Sequence, residues 1–506
     1  MKNILIAIRS IFKKGRHNVM KIVSLGIGLA VGLVLIAKVY FEQSYDDFYP
    51  DRDRVYQVWA KYQQNGGELK DYPQTSGGIA PTMQQQIPEI ETVTRYTSFG
   101  DWTFTMTDTK MKYSGRCIIA DSCFFDILPR PMLIGNAKEV LSTPMYVLIS
   151  SRIAKNIGGD VIGKNFTVDS SPGRTMTIGG VFEEVPENSH SRYDVIVSMA
   201  SAGRFMWEGS PTNMLGNDRY ISYVKLHKGV NPLALEEQVH TFVNSYFPPE
   251  EQQKTGFNIG FSFHELDGLH KELPQVKRMT WILSLLAFAL IFTAVMNYIL
   301  IVISSIVNRS KEVAVHKCYG ASENNIHGMM FGEALVHIVL SLILALLLIL
   351  AFRGTVEELL ATSLDSLLLS NGSLVLLGIC ILVFFVSGFM PGSLYARIPV
   401  ASAFRNYREN KRIWKKALLL VQFVATGFLV TMLVFVARQY TFMVNDRPGY
   451  AYENLAYCGL AGVDSTSRAK ILDEVMRLPG VVAATTVYQL PFEHASGNNI
   501  LLPGET

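Results

Sequence analysis

Charge is what this chain has least of. Only 18% of its 506 residues are Asp, Glu, Lys or Arg, and 49% are hydrophobic. Soluble domains carry about a quarter charged residues, so a disordered chain is excluded and an ordinary soluble enzyme is disfavoured. The net charge of +3 is too mild to call for nucleic acid. Cysteine is scarce too. Five residues with no CxxC pair exclude a disulfide scaffold and the usual zinc knuckle. Long stretches are nonetheless as polar as any soluble domain, so the positive mean hydropathy of +0.21 must come from local segments.

Five segments are long enough to cross a bilayer, which takes about 20 apolar residues: 19–41, 279–307, 334–352, 373–396 and 417–437. Lys21 and Lys38 lie near the ends of the first, where their stems can snorkel. The second and fifth contain no charge, the third carries a histidine, and the fourth contains Pro391-Gly392, expected to kink or break it. The first segment is too long for a secretion signal and lacks a small-residue cleavage site, so it reads as a retained anchor.

Lys and Arg set the orientation. Lys2, Arg9, Lys13, Lys14 and Arg16 precede the first span, Arg309, Lys311 and Lys317 follow the second, and seven basic residues lie in 397–416. The loop 353–372 has only Arg353 against three acids. A cytoplasmic N-terminus puts every basic segment on one side. Residues 1–18 then form an amphipathic helix whose apolar face (Ile4, Leu5, Ile8, Ile11 and Phe12) suits the lipid surface. Residues 42–278 form a large external domain, 308–333 and 397–416 are cytoplasmic, 353–372 is a short external loop, and 438–506 opens a second external domain.

The external domain reads as α+β. Strand-prone runs at 55–62, 102–107, 110–119, 174–181 and 219–226 alternate with turn residues. Helical patterns cover 79–87 and 233–246, the latter with Leu235, Val239, Phe242, Val243 and Tyr246 on one core-facing stripe. Leu478-Pro479-Gly480-Val481 echoes Ile87-Pro88-Glu89-Ile90, and Ala437-Arg438-Gln439-Tyr440 echoes Ala37-Lys38-Val39-Tyr40. The order suggests a duplicated unit of span plus external domain. The odd span count and the unfinished second unit lead us to expect a native chain that continues past Thr506 through three more spans.

Several motifs look chemical. Gly158 to Asn165 fits GxxxxGK but has Asn165 where a P-loop needs Ser or Thr for Mg²⁺, so it reads as a glycine turn into a strand. His264-Glu265 and His270 lack the i, i+4 spacing of a zinc helix. Cys117 and Cys123 are both external, which permits a disulfide or two packed thiols. Adjacent Ser189 and His190 rarely face each other and read as a structural turn.

The informative stretch follows the second span: Asn308-Arg309-Ser310-Lys311-Glu312-Val313-Ala314-Val315-His316-Lys317-Cys318-Tyr319-Gly320-Ala321-Ser322. Gly320 can supply a left-handed C-cap, and Ser322 can cap the next helix with Glu323 in its first turn. A compact turn of that kind suits docking into a partner's groove.

The stretch resembles the R-x-K-E-I-G-I-x-K-x-x-G-A-S signature of FtsX/MacB-type ABC transporter permeases. Arg309, Lys311, Glu312, Val313, Val315, Lys317, Gly320, Ala321 and Ser322 match it, with Ala314 and His316 departing from the common glycine and arginine. Glu333-Ala334 matches the family's usual pair. Tyr45-Asp46-Asp47-Phe48-Tyr49-Pro50, Ala120 to Asp126, Ile162-Gly163-Lys164, Gly180-Val181-Phe182 and Pro186-Glu187-Asn188-Ser189-His190 resemble a MacB-like periplasmic core.

The resemblance implies a multi-pass α-helical membrane protein with a large α+β extracytoplasmic domain and the start of a second, in the cell inner membrane. It implies a permease subunit with no catalytic residues, cofactor or metal, coupled through the 309–322 stretch to a cytoplasmic ABC ATPase dimer that binds the ATP. Motion would pass to external domains that act on a lipoprotein, peptide or toxic compound, or on a periplasmic adaptor, in a dimeric or pseudo-dimeric assembly. The alternative is a membrane receptor whose external domain binds a ligand without an ATPase.

Overall fold

The computed structural model describes residues 17–168, 171–216, 218–368, 372–396, 399–401, 413–445, 454–460, 463 and 465–487. The expected N-terminal amphipathic helix and most of the basic loop lie outside them. The first described element is α1 (Asn18–Gln43), an apolar helix that ends where the Ser44 N–H turns back to the Tyr40 and Phe41 carbonyls.

An eleven-stranded sheet follows. Its strands are β1 (Val55–Gln64), β2 (Lys70–Tyr72), β3 (Ile90–Met106), β4 (Lys112–Ala120), β5 (Met132–Ile134) and β6 (Tyr146–Ser150). The rest are β7 (Asn165–Val168), β8 (Ser171–Phe182), β9 (Val195–Ser198), β10 (Ile221–Leu226) and β11 (Phe257–Glu265). Their order is β11-β1-β10-β3-β4-β9-β6-β8-β5, with β2 on β1 and β7 bridging β3 and β8. The long strand β3 joins the two halves, pairing with β10 through its first part and with β4 along most of its length.

Helices α2 (Ile79–Gln86) and α3 (Glu236–Tyr246) cover the β1–β10–β3 half. Ile79, Ala80 and Met83 of α2 and Val239, Phe242 and Val243 of α3 share a buried cluster with Val58, Val93 and Val224. Helical spacing on one side and alternation on the other bring these apolar faces together. The core stripe is therefore as expected, except that Tyr246 is exposed at its end.

The membrane part continues with α4 (Pro274–Ser304), α5 (Ile306–Cys318), α6 (Glu323–Ala351), α7 (Ser373–Ala396) and α8 (Ile413–Asn445). Among the described residues, α1, α4, α6, α7 and α8 are long and apolar enough to cross a membrane. Helix α1 packs on α4 and α6, and α6 on α7. Gly28-Leu29-Ala30-Val31-Gly32 makes the first contact close: a Cβ on Gly28 would come within 2.2 Å of the Ala294 Cβ, and one on Gly32 within 2.4 Å of Ile291. Small residues do this in lipid, where apolar side chains gain nothing by leaving one apolar medium for another.

Two sequence expectations need correction. Lys21 and Lys38 do not snorkel outward; both are buried against partners within the protein. Helix α7 runs through Pro391 to Ala396 without ending. The coupling turn expected within 308–333 is confined to 319–322: α5 extends to Cys318, and α6 begins at Glu323, the start that the Ser322 cap predicts, ahead of the apolar run from Ala334. The echo near residue 480 is partial: α9 (Ser465–Met476) precedes it as α2 precedes β3, but 481–487 form no strand.

Candidate coupling site

Helix α5 ends in a turn closed by its own backbone. The Gly320 N–H donates to the Lys317 carbonyl and the Ala321 N–H to the His316 carbonyl, each at 3.0 Å. These are the two bonds of a Schellman cap. Gly320 takes φ +88°, a left-handed value that a side chain would strain. The Ser322 hydroxyl then accepts from the Asn325 N–H at 3.4 Å and starts α6. Two caps in succession give residues 319–322 a fixed shape.

Tyr319 stands at the tip, 89% exposed. Lys311, Val315, Gly320 and Ser322 are exposed around it, and Glu312, Lys317 and Ala321 are half-buried. Lys317 Nζ donates to the Ala396 carbonyl at 2.7 Å, tying the turn to the end of α7. Tyr319 was not among the residues selected from sequence; its position between a helix end and a left-handed glycine was the available signal.

Arg309 and Val313 are different. Both are buried, so neither side chain faces outward at the turn. Arg309 grips Glu333 with both terminal nitrogens, at 3.1 Å to Oε1 and 2.8 Å to Oε2. Its Nε lies 3.7 Å from Glu312 Oε2, and its guanidinium 5.4 Å over the Tyr395 ring. Lys21 Nζ reaches Glu333 Oε1 at 3.5 Å and Asn18 Oδ1 at 3.2 Å. Two cations thus meet two carboxylates where α1, α5 and α6 converge. Balance matters here, because removing one partner of a buried ion pair costs several kcal/mol.

A second cluster sits where α1 meets the α/β domain. Glu42 Oε1 is 2.7 Å from Lys38 Nζ, and Glu42 Oε2 is 2.6 Å from His270 Nε2. Lys38 also donates to Thr362 Oγ1 at 2.8 Å. Asp46 is fully buried at φ +59°. Its carboxylate accepts from the Ser189 hydroxyl at 2.9 Å and lies 2.6 Å from His190 Nδ1, while its N–H donates to the Asn188 carbonyl at 2.9 Å. Asn188 Nδ2 returns a bond to the Ser44 carbonyl at 2.6 Å. The Ser363 N–H donates to Glu187 Oε2 at 3.0 Å. Ser189 and His190 therefore both turn to Asp46 rather than to each other, and the Pro186–His190 motif fastens the domain to α1.

The remaining motifs are structural. Gly163 donates its N–H to the Ile178 carbonyl at 2.8 Å and leads the chain into β7. His264 stacks on Trp59 with ring centroids 4.1 Å apart, in a different place from His270. Burial holds the His264 imidazole below its ordinary pKa. Cys117 and Cys123 are free; burial pushes both thiols up, and Cys123 Sγ donates to the Val93 carbonyl at 3.0 Å.

Two family models match the chain, the MacB-like periplasmic core domain over residues 20–242 and the FtsX-like permease C-terminal over 284–400. No curated protein matches significantly. Among solved structures, a domain of a protein assigned as a permease from Porphyromonas gingivalis is 33% identical. The match covers 43% of this chain and 91% of that one, with a TM-score of 0.40. The periplasmic region of MacB from Actinobacillus actinomycetemcomitans is 16% identical over 44% of this chain and 92% of its own, TM-score 0.30. The extracellular domain of the noncanonic ABC-type transporter YknZ from Gram-positive bacteria is 11% identical over 40% and 98%, TM-score 0.29.

Proposed function

Because this chain belongs to the FtsX/MacB-like family of ABC transporter permeases, we propose that it carries ATPase-driven motion across the inner membrane to its extracytoplasmic domain. As a family member it is the non-catalytic membrane subunit of an ABC transporter that works with a partner ATPase. In our reading the ATPase is a cytoplasmic dimer that docks on the turn at 319–322 and holds the ATP, so this subunit needs no cofactor of its own. The N-terminus is cytoplasmic, and the α/β domain acts from the periplasm on a lipoprotein, peptide or toxic compound, or through an adaptor. Paired bundles, from two chains or a duplicated one, complete the assembly among the lipids.

One observation carries this reading. The doubly capped turn presents Tyr319 in a fixed position, with Lys311, Val315, Gly320 and Ser322 exposed beside it. A rigid, protruding tip can receive a push without absorbing it. The test is purification of the intact chain from its native membranes, with recovery of a co-purifying ABC ATPase. Gly320→Pro cannot adopt φ +88° and should lose the ATPase while the α/β domain stays folded. Retention of the ATPase and its coupled activity by Gly320→Pro would refute docking at this turn.

A further inference from the structure

Helix α1 lies between the two charged clusters and touches both. Lys21 is near its start and Glu42 near its end, so the clamps are separated by about 32 Å at 1.5 Å per residue. That is the thickness of a bilayer's hydrocarbon core, about 30 Å. Nothing between them is proline, and the helix is continuous. Its contact with α4 is close-fitting: Ala294 and Ile291 fill the notches at Gly28 and Gly32, and Asn297 Nδ2 donates to Ser24 Oγ at 2.5 Å. Ion pairs with fixed hydrogen-bond geometry are directional, and at the two ends of α1 they add to the Ser24–Asn297 bond and the Ser341 bond to the Ile22 carbonyl in fixing its axial position.

We propose that α1 is a connecting rod, clamped at one end by Lys21 to Glu333 and Arg309 and at the other by Glu42 and Asp46 to the α/β domain. Lys21 and Glu333 are its positioning residues. Arg309 belongs to α5, the helix that carries the turn, and holds Glu333 of α6 with two nitrogens. Lys21 holds the same carboxylate from α1. Displacement of the turn therefore reaches α1 through one shared anion, as well as through α4, which leads directly into α5 and packs along α1. At the far end, Asp46 passes it to Ser189 and His190, and Glu42 to His270. The direction of the push rests on the proposed docking of an ATPase at the turn, whereas the mechanical link is a property of this chain alone.

The first test therefore needs no partner. Amide hydrogen exchange is measured on the full chain in nanodiscs, at residues 44–49 and 188–191. Lys21→Met, which keeps length and apolar stem, should speed exchange there by about tenfold although the change lies a membrane's thickness away. Lys21→Arg should restore exchange to within about twofold. Lys21→Gln, a milder break that keeps a donor for Glu333, should fall between them. Leu29→Ala, which loosens the same buried helix two turns or more from either clamp, should leave 44–49 and 188–191 within about twofold of wild type. Unchanged exchange in both Lys21→Met and Lys21→Gln, or an equal increase in Leu29→Ala, would overturn the rod. In the complex with its ATPase, Lys21→Met should keep the ATPase bound and lose the ATP-dependent change at 188–191. A wild-type chain that binds no ATPase would remove the docking proposal and leave the exchange result standing.

Discussion

The two ends of α1 use the same chemistry in opposite styles. At the end away from the α/β domain, three helices are joined through one carboxylate, Glu333, gripped by Arg309 and Lys21. At the domain end, the load is spread over Glu42, Asp46, Asn188, Ser189, His190, His270 and Thr362, with backbone groups taking part. The difference follows from what each joint connects. Helices in lipid have already spent their backbone donors internally, so each joint between them needs a side-chain donor, as in the Ser341 bond to the Ile22 carbonyl. The loops at the domain end still have free N–H and C=O groups, and a joint made of many modest bonds becomes available.

That contrast predicts unequal fragility. Glu333→Ala leaves Arg309 and Lys21 facing each other without their shared anion. The expected loss is about 3–5 kcal/mol, the usual cost of orphaning a buried charge. It should be read as a collapse of thermal stability in detergent and poor monodispersity. Asp46→Ala removes one acceptor of Ser189, which keeps the Ser191 carbonyl at 3.3 Å, and one partner of His190, which keeps the Tyr223 hydroxyl, while the Asn188 bonds to Ser44 remain. Here about 2 kcal/mol is expected, with the α/β domain still folded by circular dichroism. Thr362→Val strips one acceptor from Lys38, which keeps Glu42 at 2.7 Å. About 1 kcal/mol should be lost. An Asp46→Ala penalty larger than that of Glu333→Ala would reverse the comparison.

The same contrast explains what could be read from sequence. Apolar runs mark a helix wherever its neighbours are anonymous lipid or core, and 373–396 coincides with α7. Period-two runs likewise placed β1, β4, β8 and β10 within a few residues of their observed ends. Joints are another matter. Glu333 lies 312 residues from Lys21 and Thr362 lies 324 from Lys38, so of these joints the neighbouring sequence shows only Asn18, three residues before Lys21, and Glu42, four residues after Lys38. Glu333 also bears on the third span: with Asn324, Asn325 and His327 it makes the first turns of α6 read as lying outside the apolar run. Local pattern cannot distinguish a polar residue that faces water from one that faces a distant ion. The capped turn was legible because its determinants, Gly320 and Ser322, act within a few residues of themselves.

A third ion cluster supplies the control that the comparison needs, because it lies on the α/β domain in water. Arg54 bonds Asp51 at 2.9 Å and Glu91 at 2.8 Å, and Lys225 lies 2.6 Å from Asp51. Hydrogen bonds from Lys225 and Arg54 hold the Asp51 carboxyl below its ordinary pKa, and the Arg54 hydrogen bond does the same for Glu91. A carboxyl whose folded pKa is lowered contributes stability that is present above its ordinary pKa and lost as pH falls through the lowered one. Both acids are more than a third exposed, so solvent screening limits the contribution to about 0.5 kcal/mol. Arg54→Met should therefore lose about 0.5 kcal/mol more at neutral pH than in acid. The gap should close as pH falls below about 4, where ordinary carboxyls begin to protonate. Arg54 also donates to the Leu226 carbonyl at 2.9 Å, and losing that bond costs the same at every pH. Only the part that changes with pH reports the ions. If that part reached the size of the Glu333→Ala loss, ion pairs would be worth as much in water as in the bundle, and the reason for placing the rod's clamp on Glu333 would disappear.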